Sequence, residues 1–191
     1  MSIALRKPMT QDEFFDWAEA QDERYEFDGF QPVAMTGGSG NHARITRNIN
    51  LQLSLRLEDS GPCEALASDA GVQTEGKTVR YPDGVVTCSP FDGRNRLVPN
   101  PVIVIEVVSP SSVREDRIIK PDEYAVVPSI KRYVIVEQTV IGLTVLWREN
   151  NEPWHFQTLK AGDTLALPEI TAEIPVDSLY ARVNFDELGE Q

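Results

Sequence analysis

The chain has 191 residues, a net charge of −12, and 41% hydrophobic against 25% charged residues. A chain of this length and balance buries roughly 70% of its unfolded surface and needs no disulfide staple. The negative charge repels phosphate backbones, which argues against a general non-specific nucleic-acid binder. No apolar run reaches the ~20 residues of a membrane span and the start of the chain carries no apolar leader pattern, so a soluble, cytoplasmic protein without membrane partners is expected. Cys63 and Cys88 have neither CxxC spacing nor partnering histidines, and read as free thiols of a reducing compartment.

The first predicted element is a helix opening at Met9–Glu13. Thr10 is a suitable N-cap and Glu13 stands three residues later, a capping box. Phe14, Trp17 and Ala18 share a face, and the helix should end near Gln21. Residues 24–27 read as a strand, Asp28-Gly29 as a hairpin turn and Gln31 to Met35 as the return strand. After the glycine-rich loop at 36–41 comes a long helix, about His42 to Glu58. Ile45, Ile49, Leu53 and Leu57 form its stripe, and Leu51 and Leu55 widen it.

Gly61-Pro62 ends that segment, and Cys63 to Thr74 should be extended. A strand follows from Thr78 to Thr87, then a polar loop from Ser89 to Asn100. Pro101 to Val108 is a near-continuous apolar run, the pattern of a strand covered on both faces. Ser112 and Glu115 make a second capping box for a helix toward Val127, with a kink or restart at Pro121. Ile130 to Glu137 is another buried strand. Ile141 to Arg148 and Trp154 to Leu159 make a closing hairpin, and a short helix is expected in the acidic tail. Helices alternate with clusters of strands, which implies one α/β domain over 1–191 with a mixed central β-sheet flanked by helices. Its core covers roughly 10–140, with an additional C-terminal β-hairpin and tail at 141–191.

Glu106 stands out because it interrupts a run of β-branched residues that should be buried. A buried carboxylate costs several kcal/mol unless something pairs with it. Asp83 follows Pro82, which cannot donate to a ladder and suits a strand edge or bend. Two carboxylates on neighbouring strands are a rigid set of hard oxygen ligands for Mg²⁺ (or Mn²⁺). Such an ion both activates water and stabilises charge on a phosphodiester. Asp83 and Glu106 are therefore the candidate metal ligands.

The segments carrying these residues resemble the PD-(D/E)XK nuclease superfamily, and in particular its Uma2 family of small bacterial restriction-endonuclease-like proteins. The resemblance rests on Arg24-Tyr25-Glu26-Phe27-Asp28-Gly29, Asn41-His42-Ala43, Val79-Arg80-Tyr81-Pro82-Asp83 and Ile105-Glu106-Val107-Val108-Ser109-Pro110-Ser111. It continues through Asp116-Arg117, Lys120, Tyr124, Pro128-Ser129-Ile130 and Tyr133 to Val136, and spans roughly 10–140. Each motif alone is weak, and their order and spacing are more specific. The resemblance implies a restriction-endonuclease-like core and Mg²⁺-dependent endonucleolytic cleavage of a DNA substrate. It also implies a homodimer, since cutting two strands takes two sites. The superfamily motif places a lysine two residues after the glutamate, where this chain has Val108. The resemblance suggests that Lys120, on the following helix, takes over.

Glu26 is a third carboxylate that could assist the metal or position a water, or could be an exposed strand residue paired with Arg24 or a neighbour. His42, at a helix start, could contact phosphate or act as acid/base, or could serve as a packing histidine. The main alternative is a catalytically decayed nuclease fold acting as a nucleic-acid-binding or protein-interaction module. A weaker one is a metal-dependent hydrolase of another phosphoester.

Overall fold

The computed structural model describes residues 7–57, 61–150 and 152–185. Helix α1 (Gln11–Ala18) starts as its capping box requires. The Glu13 N–H donates to Thr10 Oγ1 at 3.2 Å, and the Thr10 N–H donates to Glu13 Oε2 at 2.7 Å. It stops at Ala18, short of Gln21, and buries Phe14 and Phe15. Strands β1 (Tyr25–Phe27) and β2 (Pro32–Ala34) are the expected hairpin. At its turn, Asp28 Oδ1 accepts from the N–H groups of Phe30 and Gln31, and Gly29 takes the left-handed conformation at φ 87°.

Helix α2 (Gly40–Ser54) begins before His42, because Ser39 is the N-cap and its Oγ accepts from the His42 N–H at 3.1 Å. Ile45, Ile49 and Leu53 are buried, but Leu51 and Leu55 are exposed, so the apolar stripe is narrower than expected. The predicted end at Glu58 lies outside the described residues.

The extended stretch after Gly61 supplies β3 (Glu64–Ala67) and β4 (Val72–Gln73). The single strand expected from Thr78 to Thr87 is divided into β5 (Val79–Arg80) and β6 (Gly84–Thr87), which lie in different sheets. Pro82, without an N–H, sits in the crossing between them. The free-thiol expectation fails: Cys63 and Cys88 form a disulfide. They directly flank the antiparallel pair Glu64↔Thr87 of β3 and β6, a register that brings them face to face.

Strand β7 (Pro101–Val108) is the buried central strand. The second capping box does not form. Ser112 Oγ accepts from the Ser109 N–H at 2.9 Å, which closes a local turn, and Glu115–Ile119 winds as a π-helical turn. Helix α3 (Lys120–Ala125) restarts there, with Pro121 in its first turn where a missing N–H costs nothing. Then come β8 (Arg132–Glu137), β9 (Gly142–Trp147) and β10 (His155–Lys160). The tail adds a ribbon that the sequence pattern did not suggest, β11 (Thr164–Leu167) with β12 (Ala172–Pro175), and a 3₁₀ turn over Val176–Tyr180; the end of the tail, where a short helix is expected, lies outside the described residues.

The main sheet is six-stranded, in the order β10-β9-β8-β7-β6-β3. β7 and β8 are parallel, joined by the α3 crossover, and the other pairs are antiparallel. A four-stranded sheet, β2-β1-β5-β4, carries α1. Ile103, Ile105 and Val107 face α2 and the terminal ribbon. Val104 and Val108 face Tyr124, Ile130 and Tyr133. This alternation puts Glu106 on the α3 side of the main sheet. No helix among the described residues is long and apolar enough to cross a membrane.

Candidate active site

Where the chain leaves the small sheet and enters the large one, a cleft of about 480 Å³ opens. Asp83, Glu106, Lys120, Glu26 and His42 all line it. The five candidate residues thus come from five places: β1, the first turn of α2, the β5–β6 crossing, β7 and the start of α3.

Asp83 is held from two elements. Its Oδ1 accepts from Thr46 Oγ1 at 3.1 Å, and its Oδ2 from the Val107 N–H at 2.8 Å. His42 Nε2 stands 3.3 Å from Oδ2, and Asn50 Nδ2 donates to the Asp83 carbonyl at 2.9 Å. His42, Thr46 and Asn50 are spaced i, i+4, i+8, so one face of α2 meets Asp83. Gly84 permits this approach: a Cβ there would lie 3.3 Å from Ile49 Cγ2. Arg44 and Arg47 lie off that face, exposed to solvent, and do not line the cleft.

Glu106 is 5% exposed. Its Oε1 accepts from Lys120 Nζ at 2.7 Å and from Tyr124 Oη at 3.0 Å. Lys120 also stands 2.9 Å from Asp116 Oδ1 and 4.0 Å from Glu26 Oε1. The π-helical turn is what aims this group. Asp116 and Lys120 are i, i+4 across it, and both side chains point inward rather than to solvent. Val108 packs into the apolar cluster with Tyr124 and Tyr133, and Lys120 reaches Glu106 from α3 on that same side of the sheet.

Glu26 is fixed by Arg80, whose Nη1 donates to Oε2 at 2.7 Å, and by the Tyr81 N–H, which donates to Oε1 at 3.2 Å. Arg80 in turn clamps Glu123 of α3 with two bonds, at 2.7 and 2.6 Å. A pairing of Glu26 with Arg24 does not occur: Arg24 turns to the Ser68 carbonyl and Asp69.

Charge is the dominant property of the cleft. Six lining carboxylates, Glu26, Asp28, Asp83, Glu106, Glu115 and Asp116, meet two permanent cations, Arg80 and Lys120. Burial pushes the Glu106 carboxyl up to about 8. Lys120 opposes that shift, and Asp116, Asp83 and Glu26 add to it. Burial pulls the Lys120 ammonium down, but Glu106, Glu26 and Asp116 outweigh it, so Lys120 keeps its proton. The hydrogen bond that His42 donates to the Asp83 carboxylate raises His42 against a smaller opposing effect of burial.

Among the described residues, no three His, Cys, Asp or Glu side chains converge as a ready cation cage. Mg²⁺, however, takes only one or two carboxylates from the protein, with water and substrate oxygens completing its shell. Asp83 and Glu106 are donors of that kind, and the excess of carboxylate over cation fits a divalent ion. Asp116 was read in the sequence only as part of the family resemblance and not as a site residue. The signal was its spacing of four from Lys120, obscured because 115–119 does not follow an ordinary helical turn.

The mixed central sheet flanked by helices is the restriction-endonuclease-like fold. A family model described as "Putative restriction endonuclease", Uma2, matches residues 11–177, and the chain belongs to that family. It is 31% identical over 179 residues to "Uncharacterized protein slr1290" of Synechocystis sp., covering 93% of this chain and 94% of that protein. It is 29% identical over 142 residues to "Uncharacterized protein sll1609" of the same organism, covering 72% of this chain and 80% of the other. The fold is shared with the crystal structure of "a putative nuclease belonging to DUF820" from Anabaena variabilis. The TM-score is 0.69 at 14% identity, covering 91% of this chain and 98% of the other.

Proposed function

We propose that this chain is a divalent-metal-dependent endonuclease that hydrolyses DNA phosphodiester bonds in the cleft between β6, β7 and α3. Asp83 and Glu106 would hold Mg²⁺ or Mn²⁺. When bound, the ion supplies positive charge to the phosphoryl oxygens and acidifies a water.

The chain's own groups then have distinct tasks. Lys120, kept protonated by three carboxylates, would orient the attacking water and neutralise the phosphate. His42, with Nε2 on Asp83, is placed to deliver a proton to the leaving oxygen. Glu26 holds Arg80 and lies 4.0 Å from the Lys120 ammonium, so it positions that ammonium. Asp116 fixes it from the other side.

The observation that carries the reading is the 2.7 Å contact between Lys120 and Glu106 in the same cleft as Asp83. It supplies, from a different element, the lysine that the superfamily motif places at position 108. Calorimetric titration with Mn²⁺ tests the metal site. Saturable binding that Asp83→Asn abolishes is expected. No binding by the wild-type protein would favour a catalytically retired fold that only binds nucleic acid or protein.

A further inference from the structure

The cleft's size and charge restrict what strand can enter it. The side chains of Asp83, Glu106 and Lys120 are 13%, 6% and 8% exposed, so the chemistry lies at the floor of the cleft and not on a surface. A volume of about 480 Å³ matches a pocket for one small molecule, in the general range of ~300–1,000 Å³. A duplex needs a broad cationic surface: tight duplex binders make roughly 6–10 phosphate contacts with Lys and Arg. Of the two permanent cations lining the cleft, Arg80 is committed to Glu26 and Glu123, which leaves Lys120, between Glu106 and Asp116, as the one lining cation for a phosphate. At the mouth, Asp28 and Glu115 are carboxylates, and the β1–β2 wall offers the apolar side chains Val33 and Met35.

We infer that the site takes an unpaired strand of DNA, a single-stranded end or flap, and not a regular duplex. One nucleotide and its phosphodiester would descend to the floor, with the base against Val33 and Met35. Duplex would be excluded because its second strand brings phosphates against Asp28 and Glu115, and the cleft lining holds no further cation to receive them. A single strand is cut by one cleft, so a second copy of the chain is not required.

This inference rests on the nuclease reading. The test uses one end-labelled oligonucleotide, presented either alone or annealed to its full complement, with the intact protein and Mn²⁺. Cleavage of the unpaired strand at least tenfold faster than the annealed one is expected. The salt dependence of KM should also be shallow, with a log–log slope no steeper than about −2, as for one or two phosphate contacts. Equal or faster cutting of the duplex, or a slope steeper than about −4, overturns the inference while leaving the nuclease reading intact. No cutting of either substrate removes the nuclease reading and this inference with it.

Discussion

Lys120 Nζ and Glu106 Oε1 lie 2.7 Å apart in a buried ion pair, although the residues stand 14 positions apart and on different elements. The lysine comes down from α3, after a π-helical turn, onto a carboxylate at the centre of the main sheet. Above about pH 8, where Glu106 is ionised, removing one partner leaves an uncompensated buried charge, which costs roughly 3–5 kcal/mol. Lys120→Met should therefore destabilise the fold by that order in urea denaturation. The double variant with Glu106→Gln should recover part of the loss and not all of it, because Asp116, 2.9 Å from Lys120 in the wild type, is still left without its cation.

The raised Glu106 and His42 protonation ranges set the pH dependence of stability. Between about 4.5 and about 8, the unfolded chain has lost the Glu106 proton that the folded chain keeps. The folded state thus binds more protons, and stability falls as pH rises through that window. His42 acts in the same direction: its contribution is present below its ordinary value of 6.5 and is lost as pH rises through its raised folded value. Thermal melts in chelator should show a Tm that declines from pH 5 to pH 8, as stability falls by on the order of a few kcal/mol in all. Glu106→Gln should flatten the decline. Added Mn²⁺ should raise Tm more at pH 8 than at pH 5, since the ion competes with the Glu106 proton.

Asp83→Asn tests the other carboxylate with little change of shape. It keeps an oxygen able to accept from the Thr46 hydroxyl or the Val107 N–H, so the cost to stability should stay near 1 kcal/mol. Cleavage should fall at least a hundredfold, and excess Mn²⁺ should not restore it. Parallel melts and rates separate the two effects.

The closing hairpin also reaches the site. Trp154 Nε1 donates to the Pro121 carbonyl at 2.9 Å, next to Lys120, and the Arg148 guanidinium lies 4.7 Å from the Trp154 ring centroid. Arg148 itself ties the Ala125, Val127 and Ile130 carbonyls at the end of α3. Trp154→Phe keeps the ring and loses the N–H, worth about 1 kcal/mol, or roughly 2–4 °C in Tm at this size. A fall in kcat at unchanged KM should accompany it, because Lys120 loses its backstop.

Much of this arrangement was legible in the sequence because local chemistry and tertiary structure agree there. The capping box at Thr10, the Asp28-Gly29 turn and the apolar run around Glu106 each carry their own cause. Asp83, Glu106, Lys120, Glu26 and His42 could be named, and the fold gathers them round one cleft. Long-range register was hidden. Cys63 meets Cys88 only because β3 pairs with β6, and Glu26 takes Arg80, not Arg24, only because β1 pairs with β5. Ser112 looked like a cap but is used inside its own turn, and the π-helical turn it precedes has no simple periodic signature. That turn is the reason Asp116 was not read as a site residue.

The most direct test compares wild type and Glu106→Gln, purified identically, on single-stranded DNA with Mn²⁺ and with chelator. The expected result is cleavage by the wild type with Mn²⁺ alone, and a rate at least a hundredfold lower for a Glu106→Gln protein that melts as a folded chain. Equal cleavage by the two proteins would contradict the assignment of this cleft as the nuclease site.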